Sequence, residues 1–279
     1  MSSIQNKIKD LILEIKVLQR SIPSMVMAMF SVSLVAMNLL ANKSVNIASE
    51  YVAVDTGILF SWIVFLLMDM MVKRFGPRAA TLTSFMALLI NLGLVLMLFL
   101  AGQIPGMWGE AYVDGAEDLI NGALNRTFGG TWYVLLGSSV AFMLSAVVNN
   151  ALNWAILQLR RGSLEAKAKN TNLVVNGNLS EAENKNEMKA SLQEEKYRHF
   201  AVRSFISTFV SQFVDNLTFA LIVSLNFFGW TLTQCIGCAF TGAILELLCE
   251  VILSPIGYRV AKKWDAENVG SEYIERYLS

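Results

Sequence analysis

Acidic side chains lie inside stretches of this sequence that are otherwise apolar enough to cross a membrane. They are Asp69, Asp215, Glu246 and Glu250, and Asp55 lies near the end of one such stretch. Each charge at the centre of a bilayer costs roughly 2.5 to 3.5 kcal/mol on insertion scales. The stretches contain no clear basic partner, so we expect some of these carboxyl groups to be protonated at rest. Such groups commonly couple transport to a proton gradient; alternatively, they only hydrogen-bond neighbouring helices.

Hydroxyl and amide side chains accompany these acids. One stripe recurs at three- and four-residue spacing, which places its members on one helix face: Ser204, Ser207, Thr208, Ser211, Gln212, Asp215 and Thr218. Further amides are Asn38, Asn42, Asn91, Asn149, Asn150 and Asn153. Amides left unpaired in lipid are costly, so the pattern predicts a polar cavity that suits a flat polar heterocycle better than an ion or a lipid. Any single member of these groups is also explained as packing between helices.

Six apolar stretches must position these side chains. They span residues 22–41, 52–72, 79–101, 130–159, 204–228 and 231–253. At about 1.5 Å per residue, each can cross a hydrocarbon core of about 30 Å. The sequence therefore predicts an all-α protein, a polytopic membrane bundle of six transmembrane helices. Three helices per half would give two inverted halves, although the halves share no sequence similarity.

Basic residues predict the orientation. All of the 22 lysines and arginines except Lys43 and Arg126 lie in the two terminal segments or in the second and fourth gaps between stretches. This asymmetry predicts that both termini are cytoplasmic, in a multi-pass protein of the bacterial cytoplasmic membrane. A net charge of zero argues against nucleic-acid binding.

The remaining segments divide the chain. Residues 1–20 are predicted to form an amphipathic helix on the inner membrane surface, through apolar residues at helical spacing, or else a solvated extension of the first span. Residues 21–160 hold the first four spans, 161–200 a flexible cytoplasmic linker, 201–260 the last two spans and 261–279 a cytoplasmic tail. The outer gap, residues 102–129, is acidic and carries Trp108 and Tyr112, which predicts a short interfacial helix or cap.

Few residues support catalysis or metal binding. His199 is the only histidine and lies in the predicted linker, and neither Gly-x-Ser-x-Gly nor His-Glu-x-x-His occurs. Cys235, Cys238 and Cys249 share one apolar stretch and are expected to pack against neighbouring helices. We therefore expect a protein that is not an enzyme and has neither a cofactor nor a bound metal.

Two segments resemble the bacterial queuosine-precursor transporters, also called the vitamin-uptake transporter family. Residues 60–76 (FSWIVFLLMDMMVKRFG), followed by Ala79 and Ala80, are similar to that family's aromatic-led second span, which ends in Asp before a basic-Phe-Gly turn. Residues 207–219 (STFVSQFVDNLTF) are similar to its fifth-span pattern, and Pro255 with Tyr258 is a weaker match. The resemblance covers about residues 30–260.

The resemblance implies import of a 7-deazaguanine, the cyano or aminomethyl precursor of queuosine, by proton symport or facilitated transport. A carboxylate can accept the adjacent N–H and NH2 of such a ring bidentately, and Phe60, Trp62 or Phe219 can stack on it. The expected substrate-binding residues are Asp215, Gln212, Asn149, Asn153, Asp69, Ser211, Glu246 and Phe219. Asp69 is expected to act either as a substrate contact or as a gate. Expected partners are this nucleobase-like substrate, the bilayer and protons, and a homo-oligomer is compatible with the sequence.

The chain departs from the family at several places. Many relatives carry Glu where this chain has Val72, and many have Lys near the position of Glu246. The linker and N-terminal helix are also longer than usual. The reversed charge at Glu246 favours a cationic ligand such as the aminomethyl form.

The sequence leaves three other functions open. The chief alternative is a substrate-binding subunit of an energy-coupling-factor vitamin importer, but such subunits usually carry Ala-x-x-x-Ala on the first helix, and Ala28, Ala36 and Ala41 lack that spacing. An intramembrane enzyme has few candidate residues. A sensor or structural protein predicts that neutralising Asp215 leaves uptake unchanged.

Overall fold

Long helices dominate the computed structural model, which describes residues 2–41, 43–49, 52–107, 109, 117–127, 132–174 and 197–278. In chain order the elements are α1 Ser2–Ser21, α2 Ser24–Leu40, β1 Ser44–Ser49, β2 Val52–Asp55, α3 Ile58–Gln103, α4 Glu117–Asn125, α5 Trp132–Val174, α6 Tyr197–Phe227, α7 Leu232–Ala266 and α8 Ser271–Tyr277. Among the described helices, α3, α5, α6 and α7 are long and apolar enough to cross a membrane, and the bent pair α1–α2 would make a fifth. The chain is therefore a helical membrane protein.

Helix α3 is a hairpin. Gly76 leaves the helical conformation at φ 81° and ψ 169°, and Pro77 follows it. The Ser84 hydroxyl donates to Met68 Sδ at 3.3 Å. In a straight helix sixteen residues would separate these side chains by about 24 Å, so the two halves of α3 must fold back on each other. The hairpin accounts for the second and third predicted stretches, with the basic segment before Gly76 at its turn.

A small β-hairpin precedes α3 and corrects two predictions. β1 pairs antiparallel with β2, with Val45 opposite Val54 and an irregular register between Asn46 and Ser49. The second stretch therefore begins as a helix at Ile58 rather than Val52, and the protein is not purely α-helical. The physical reason is the alternation of β-branched residues with small or polar ones along both strands, which favours extended backbone. Asp55 consequently ends a strand instead of lying inside a span.

The turn of the α3 hairpin is clamped to both termini. Arg78 donates to Glu14 Oε1 at 2.8 Å and Oε2 at 2.6 Å, and the Tyr273 hydroxyl donates to Glu14 at 3.1 Å. Arg74 donates to the carbonyl of Val269 at 2.9 Å. Burial, followed by the negative charge of Glu14, raises the pKa of Tyr273, which keeps its hydroxyl a donor. Because charge-assisted hydrogen bonds are strong, this clamp joins α1, α3 and α8.

Helix α1 is only partly packed on the protein. Glu14, Val17 and Leu18 are buried, whereas Ile8 and Ile12 are about half exposed. The exposed apolar side chains are compatible with the amphipathic membrane helix expected from the sequence, and attachment to the membrane stays a prediction.

Several predicted boundaries shift. Helix α5 continues to Val174 and so includes the first part of the predicted linker, while residues 175–196 lie outside the described residues. Asn42, Trp108, Glu110, Tyr112, Asp114 and Gly130 also lie outside them. In the outer gap the structure describes helix α4. The linker follows α5, the fourth predicted span, and so does not mark a boundary between two three-helix halves.

We expect Gly270→Ala to destabilise the clamp. Gly270 has φ 68°, and an added Cβ would lie 2.3 Å from Phe75 Cε1 and 2.8 Å from the carbonyl oxygen of Ser21. A left-handed non-glycine residue costs on the order of 1 to 3 kcal/mol, and the clash adds to that cost. The thermal midpoint in detergent, followed by tryptophan fluorescence, should fall. Gly93→Ala is the control, because a Cβ there meets nothing within 4 Å; its midpoint should stay equal or rise. Equal midpoints for both variants would contradict the packing described for Gly270.

Candidate functional site

Polar side chains inside the bundle form two groups. The first, the Asp69 cluster, comprises Asp69, Asn149, Asn153, Ser204, Ser207, Ser211 and Glu250. The second, the Glu246 pocket, is a cavity around Asp55, Asp215, Asn216, Phe219 and Glu246. Helices α3, α5, α6 and α7 pack against one another around both groups.

Asp69 is the centre of the first group. Its side chain is fully buried. Asp69 Oδ1 accepts hydrogen bonds from the amide of Asn149 at 3.0 Å and from the amide of Asn153, and Oδ2 accepts from the Ser204 hydroxyl. Helices α5 and α6 thus supply three donors to one carboxyl group of α3. This arrangement replaces water around a group that would otherwise be costly in lipid.

Further hydrogen bonds extend the Asp69 cluster to α7. The Ser204 hydroxyl also lies in hydrogen-bond contact with Glu250 Oε1. Asn153 donates to Ser207 at 3.2 Å, and Ser211 donates to the side-chain oxygen of Asn149 at 3.3 Å. All these side chains are buried. The polar stripe predicted on the fifth stretch therefore faces the interior of the bundle.

Arg203 corrects one expectation from the sequence. It precedes Ser204, is only 2% exposed and interacts electrostatically with Asp69. The expectation that no basic residue accompanies the buried acids is therefore wrong for Asp69. Arg203 was counted with the cytoplasmic gap, but α6 begins at Tyr197, so Arg203 lies well inside the helix.

Gln212 lies one position after Ser211 on the buried face of α6. It is fully buried, and among the described residues neither its Nε2 nor its Oε1 has a hydrogen-bond partner. An unsatisfied buried polar group costs about 1 to 3 kcal/mol. Gln212 does not line the Glu246 pocket, so its role as a substrate contact stays a prediction.

The Glu246 pocket consists of two adjoining cavities with volumes of about 40 and 20 Å³. Both are lined by Asp55, Ile58, Asn216, Phe219 and Glu246. Cavities of this size hold about one to three water molecules, so a small organic ligand requires the pocket to widen. The free space therefore lies beside the second polar group, where a ligand could be held.

Carboxyl groups set the electrostatics of this pocket. Glu246 accepts from the Ser61 hydroxyl and from the amide of Asn216 at 3.3 Å. Asp215 accepts from Ser145 at 2.8 Å. Asp55, Asp215 and Glu246 also interact electrostatically with one another. The described lining residues of both cavities include no lysine, arginine or histidine, so the pocket favours ligands that carry donors or positive charge.

The backbone around the pocket is adapted to close approach. Gly242 allows Asn216 to reach Glu246, because a Cβ at Gly242 would lie 2.7 Å from Asn216 Nδ2. The π-helical segment Ala220–Ser224 follows Phe219 directly. Such segments often occur at functional sites. Trp230, just after α6, adds an aromatic wall to the larger cavity.

The structure brings only some of the predicted site residues together. Asp215, Glu246 and Phe219 line the pocket. Asp69, Asn149, Asn153 and Ser211 belong instead to the Asp69 cluster. Sequence patterns missed Asn216, Ser61 and Trp230, and did not assign Asp55 to the site. Two sequence features could have identified the missed residues. Asn216 is adjacent to Asp215, and Ser61 lies two helical turns before Asp69.

Stability should depend on pH through Asp55. Burial raises the pKa of Asp55 to about 6, partly offset by backbone hydrogen bonds from Gly57 and Ile58. Since an unfolded aspartate titrates near about 3.9, the folded state binds the proton more tightly, and stability is lost as pH rises through about 6. Asp55→Asn cannot ionise but keeps an oxygen for the Gly57 N–H. At about pH 4 the variant and the native protein should have the same free energy of unfolding. By about pH 8 the free energy of unfolding of the variant should be higher by on the order of 2 kcal/mol.

The measurement is the midpoint of thermal unfolding of Asp55→Asn and of the native protein across that pH range. Asp10→Asn is the control, since Asp10 is exposed on α1. An advantage of Asp55→Asn that stays constant with pH would exclude burial of the Asp55 charge as its cause.

Comparison with known proteins supports a transport function. A family model described as "Putative vitamin uptake transporter" matches residues 55–260. No curated protein and no solved structure matches the chain. The matched region extends from Asp55 at the end of β2 to the last turns of α7, and so contains both polar groups. This chain belongs to the vitamin uptake transporter family.

Proposed function

We propose that this protein imports a queuosine precursor, a 7-deazaguanine, and binds it in the Glu246 pocket. The observation that carries the proposal is a cavity lined by three carboxyl groups, an amide and aromatic rings, with no basic side chain among its described lining residues. Membership in a family of vitamin or small-molecule uptake transporters supports transport as the activity.

The chemistry of the ligand fits this lining. A 7-deazaguanine carries an N–H beside an NH2 group, and a carboxylate can accept both in a bidentate pair. Asp215 and Glu246 are the candidates for this contact, because both border the smaller cavity. Phe219 and Trp230 are candidates to stack on the bicyclic ring. The negative lining further favours the aminomethyl form, whose amine is cationic, over the neutral cyano form.

The membrane arrangement follows from the helices. We propose six crossings: α2, the two halves of α3, α5, α6 and α7. Cytoplasmic termini place the α2–α3 connection, and with it the β-hairpin and Asp55, on the outer side of a bacterial cytoplasmic membrane. The Glu246 pocket then faces the side from which an imported substrate arrives, and the clamp around Glu14 lies on the cytoplasmic side.

An energy-coupling-factor subunit is the alternative function. The family match does not favour it, since the matching family is described by uptake itself. Uptake by the protein in a host that lacks the shared coupling ATPase would exclude it.

Asp215→Asn tests the proposed function. The substitution keeps the size of the side chain and removes the charge that would accept the substrate donors. A hydrogen bond to a charged group contributes about 1.5 to 3 kcal/mol, so affinity should fall about 10- to 100-fold, and uptake at low concentration should be lost. The measurement is uptake of the labelled precursor by cells that cannot make it, together with queuosine in their tRNA.

Asp10→Asn, on the exposed face of α1, is the control and should transport normally. Immunoblots of the membrane fraction establish that both variants are present in equal amounts. Normal uptake by Asp215→Asn would show that the proposed binding site is wrong.

A further inference from the structure

One hydroxyl group joins two carboxyl groups in the Asp69 cluster. Ser204 Oγ lies in hydrogen-bond contact with both Asp69 Oδ2 and Glu250 Oε1. A serine hydroxyl has one proton to donate. If both carboxyls were ionised, one of these contacts would bring two acceptor oxygens together with no proton between them. The arrangement therefore requires one more proton, carried by one of the two carboxyl groups.

The surroundings assign that proton to Glu250. Asp69 accepts from the amides of Asn149 and Asn153 and interacts electrostatically with Arg203, all of which favour its ionised form. Glu250 lacks comparable support: among the described residues its Oε2 has no hydrogen-bond partner. It is fully buried, and burial with fewer donors than Asp69 has favours the neutral acid.

An independent observation points the same way. Asn153 donates its NH2 to Asp69 and Ser207, so its side chain is held in the cluster, yet among the described residues its Oδ1 has no partner. Asn153 is fully buried. A buried carbonyl oxygen in this position needs a donor. Asn153 Oδ1 and Glu250 Oε2 are thus two acceptors of the cluster without a donor among the described residues.

The cluster suits a proton better than a metal cation. Asp69 is already surrounded by N–H and O–H donors, which repel a cation from its oxygens. Within the described residues, no group of three or more His, Cys, Asp or Glu could hold a metal ion.

The charged groups around the cluster are few. Helix α3 contributes Asp69, α6 contributes Arg203 and α7 contributes Glu250. Helix α5 presents the amides Asn149 and Asn153. Lys73, one turn beyond Asp69, pairs with Asp265 at 3.7 Å.

We infer that the cluster of Asp69, Ser204 and Glu250 is the binding site of a coupling proton, separate from the substrate pocket. The inference rests on the proposed function. Substrate lies beside Asp215, about 16 Å further along α6 than Ser204. The two sites communicate through α7, on which Glu250 lies one turn after Glu246. When Glu250 releases its proton to the cytoplasm, two carboxylates face one hydroxyl, and their repulsion moves α7 away from α3.

Proteoliposomes containing the whole protein test this inference with labelled 7-aminomethyl-7-deazaguanine. Two quantities are measured: exchange of internal for external substrate without a gradient, and accumulation driven by an inward proton gradient. Glu250→Gln resembles the permanently protonated acid. It should still exchange substrate, but its gradient-driven accumulation should fall to the level without a gradient. Glu272→Gln, on the exposed part of α8, is the matched control and should show both activities.

The outcomes separate this inference from the proposed function. Proton-driven accumulation by Glu250→Gln equal to that of the native chain would overturn the inference, as would accumulation by the native chain that requires sodium. Failure of the native chain to exchange the precursor would instead overturn the proposed function. The proton site is then still tested by infrared spectroscopy, which should show a protonated-carboxyl band that Glu250→Gln loses and Glu272→Gln keeps. Persistence of the whole band in Glu250→Gln would refute the site.

Ser204→Ala is the second variant, in case Glu250→Gln does not accumulate in membranes. Loss of the bridge should change the pH at which the Glu250 carboxyl band titrates in the infrared spectrum. An unchanged titration would contradict the bridging role of Ser204.

Discussion

The cost of placing carboxyl groups inside a lipid-embedded bundle is the constraint on which the rest of this structure depends. Asp69 and Glu250 are tolerated because neighbouring helices supply hydroxyls, amides and one buried arginine in place of water. Glu246 and Asp215 are tolerated beside open space, with single hydroxyl or amide donors. The same constraint thus yields a buried hydrogen-bonded cluster and a partly open pocket.

The two environments divide the chemical tasks. In the proposed mechanism, the network of hydrogen bonds around Asp69 and Glu250 binds the coupling proton. In the same mechanism, the acidic cavity around Glu246 binds a larger ligand with donors or positive charge. Both environments share α6 and α7, so movement of either helix alters both. The clamp between Glu14, Arg78 and Tyr273 ties the turn of α3 to α1 and α8.

Much of this arrangement was predictable from local patterns, although not all of it. The three- and four-residue spacing of Ser204, Ser207 and Ser211 correctly predicted a buried polar face, because helix geometry is local. The hairpin at Gly76 was predictable from the basic turn that interrupts two apolar stretches. The β-hairpin was missed because a short apolar run such as the one containing Val52 and Val54 is compatible with either a helix or a strand. Arg203 was misplaced because a charge at the end of a stretch does not reveal whether the helix has already begun.

The sequence alone determined that the chain is a helical membrane protein with paired acids and amides facing its interior, because hydrophobicity and helical periodicity are properties of neighbouring residues. Only the tertiary structure decided which acids meet. Asp69 joins Glu250 through Ser204, whereas Asp215 joins Glu246 beside Asp55 and Asn216. These partners are separated by tens of residues or more along the chain, and their proximity depends on how α3, α6 and α7 pack, which no local pattern encodes.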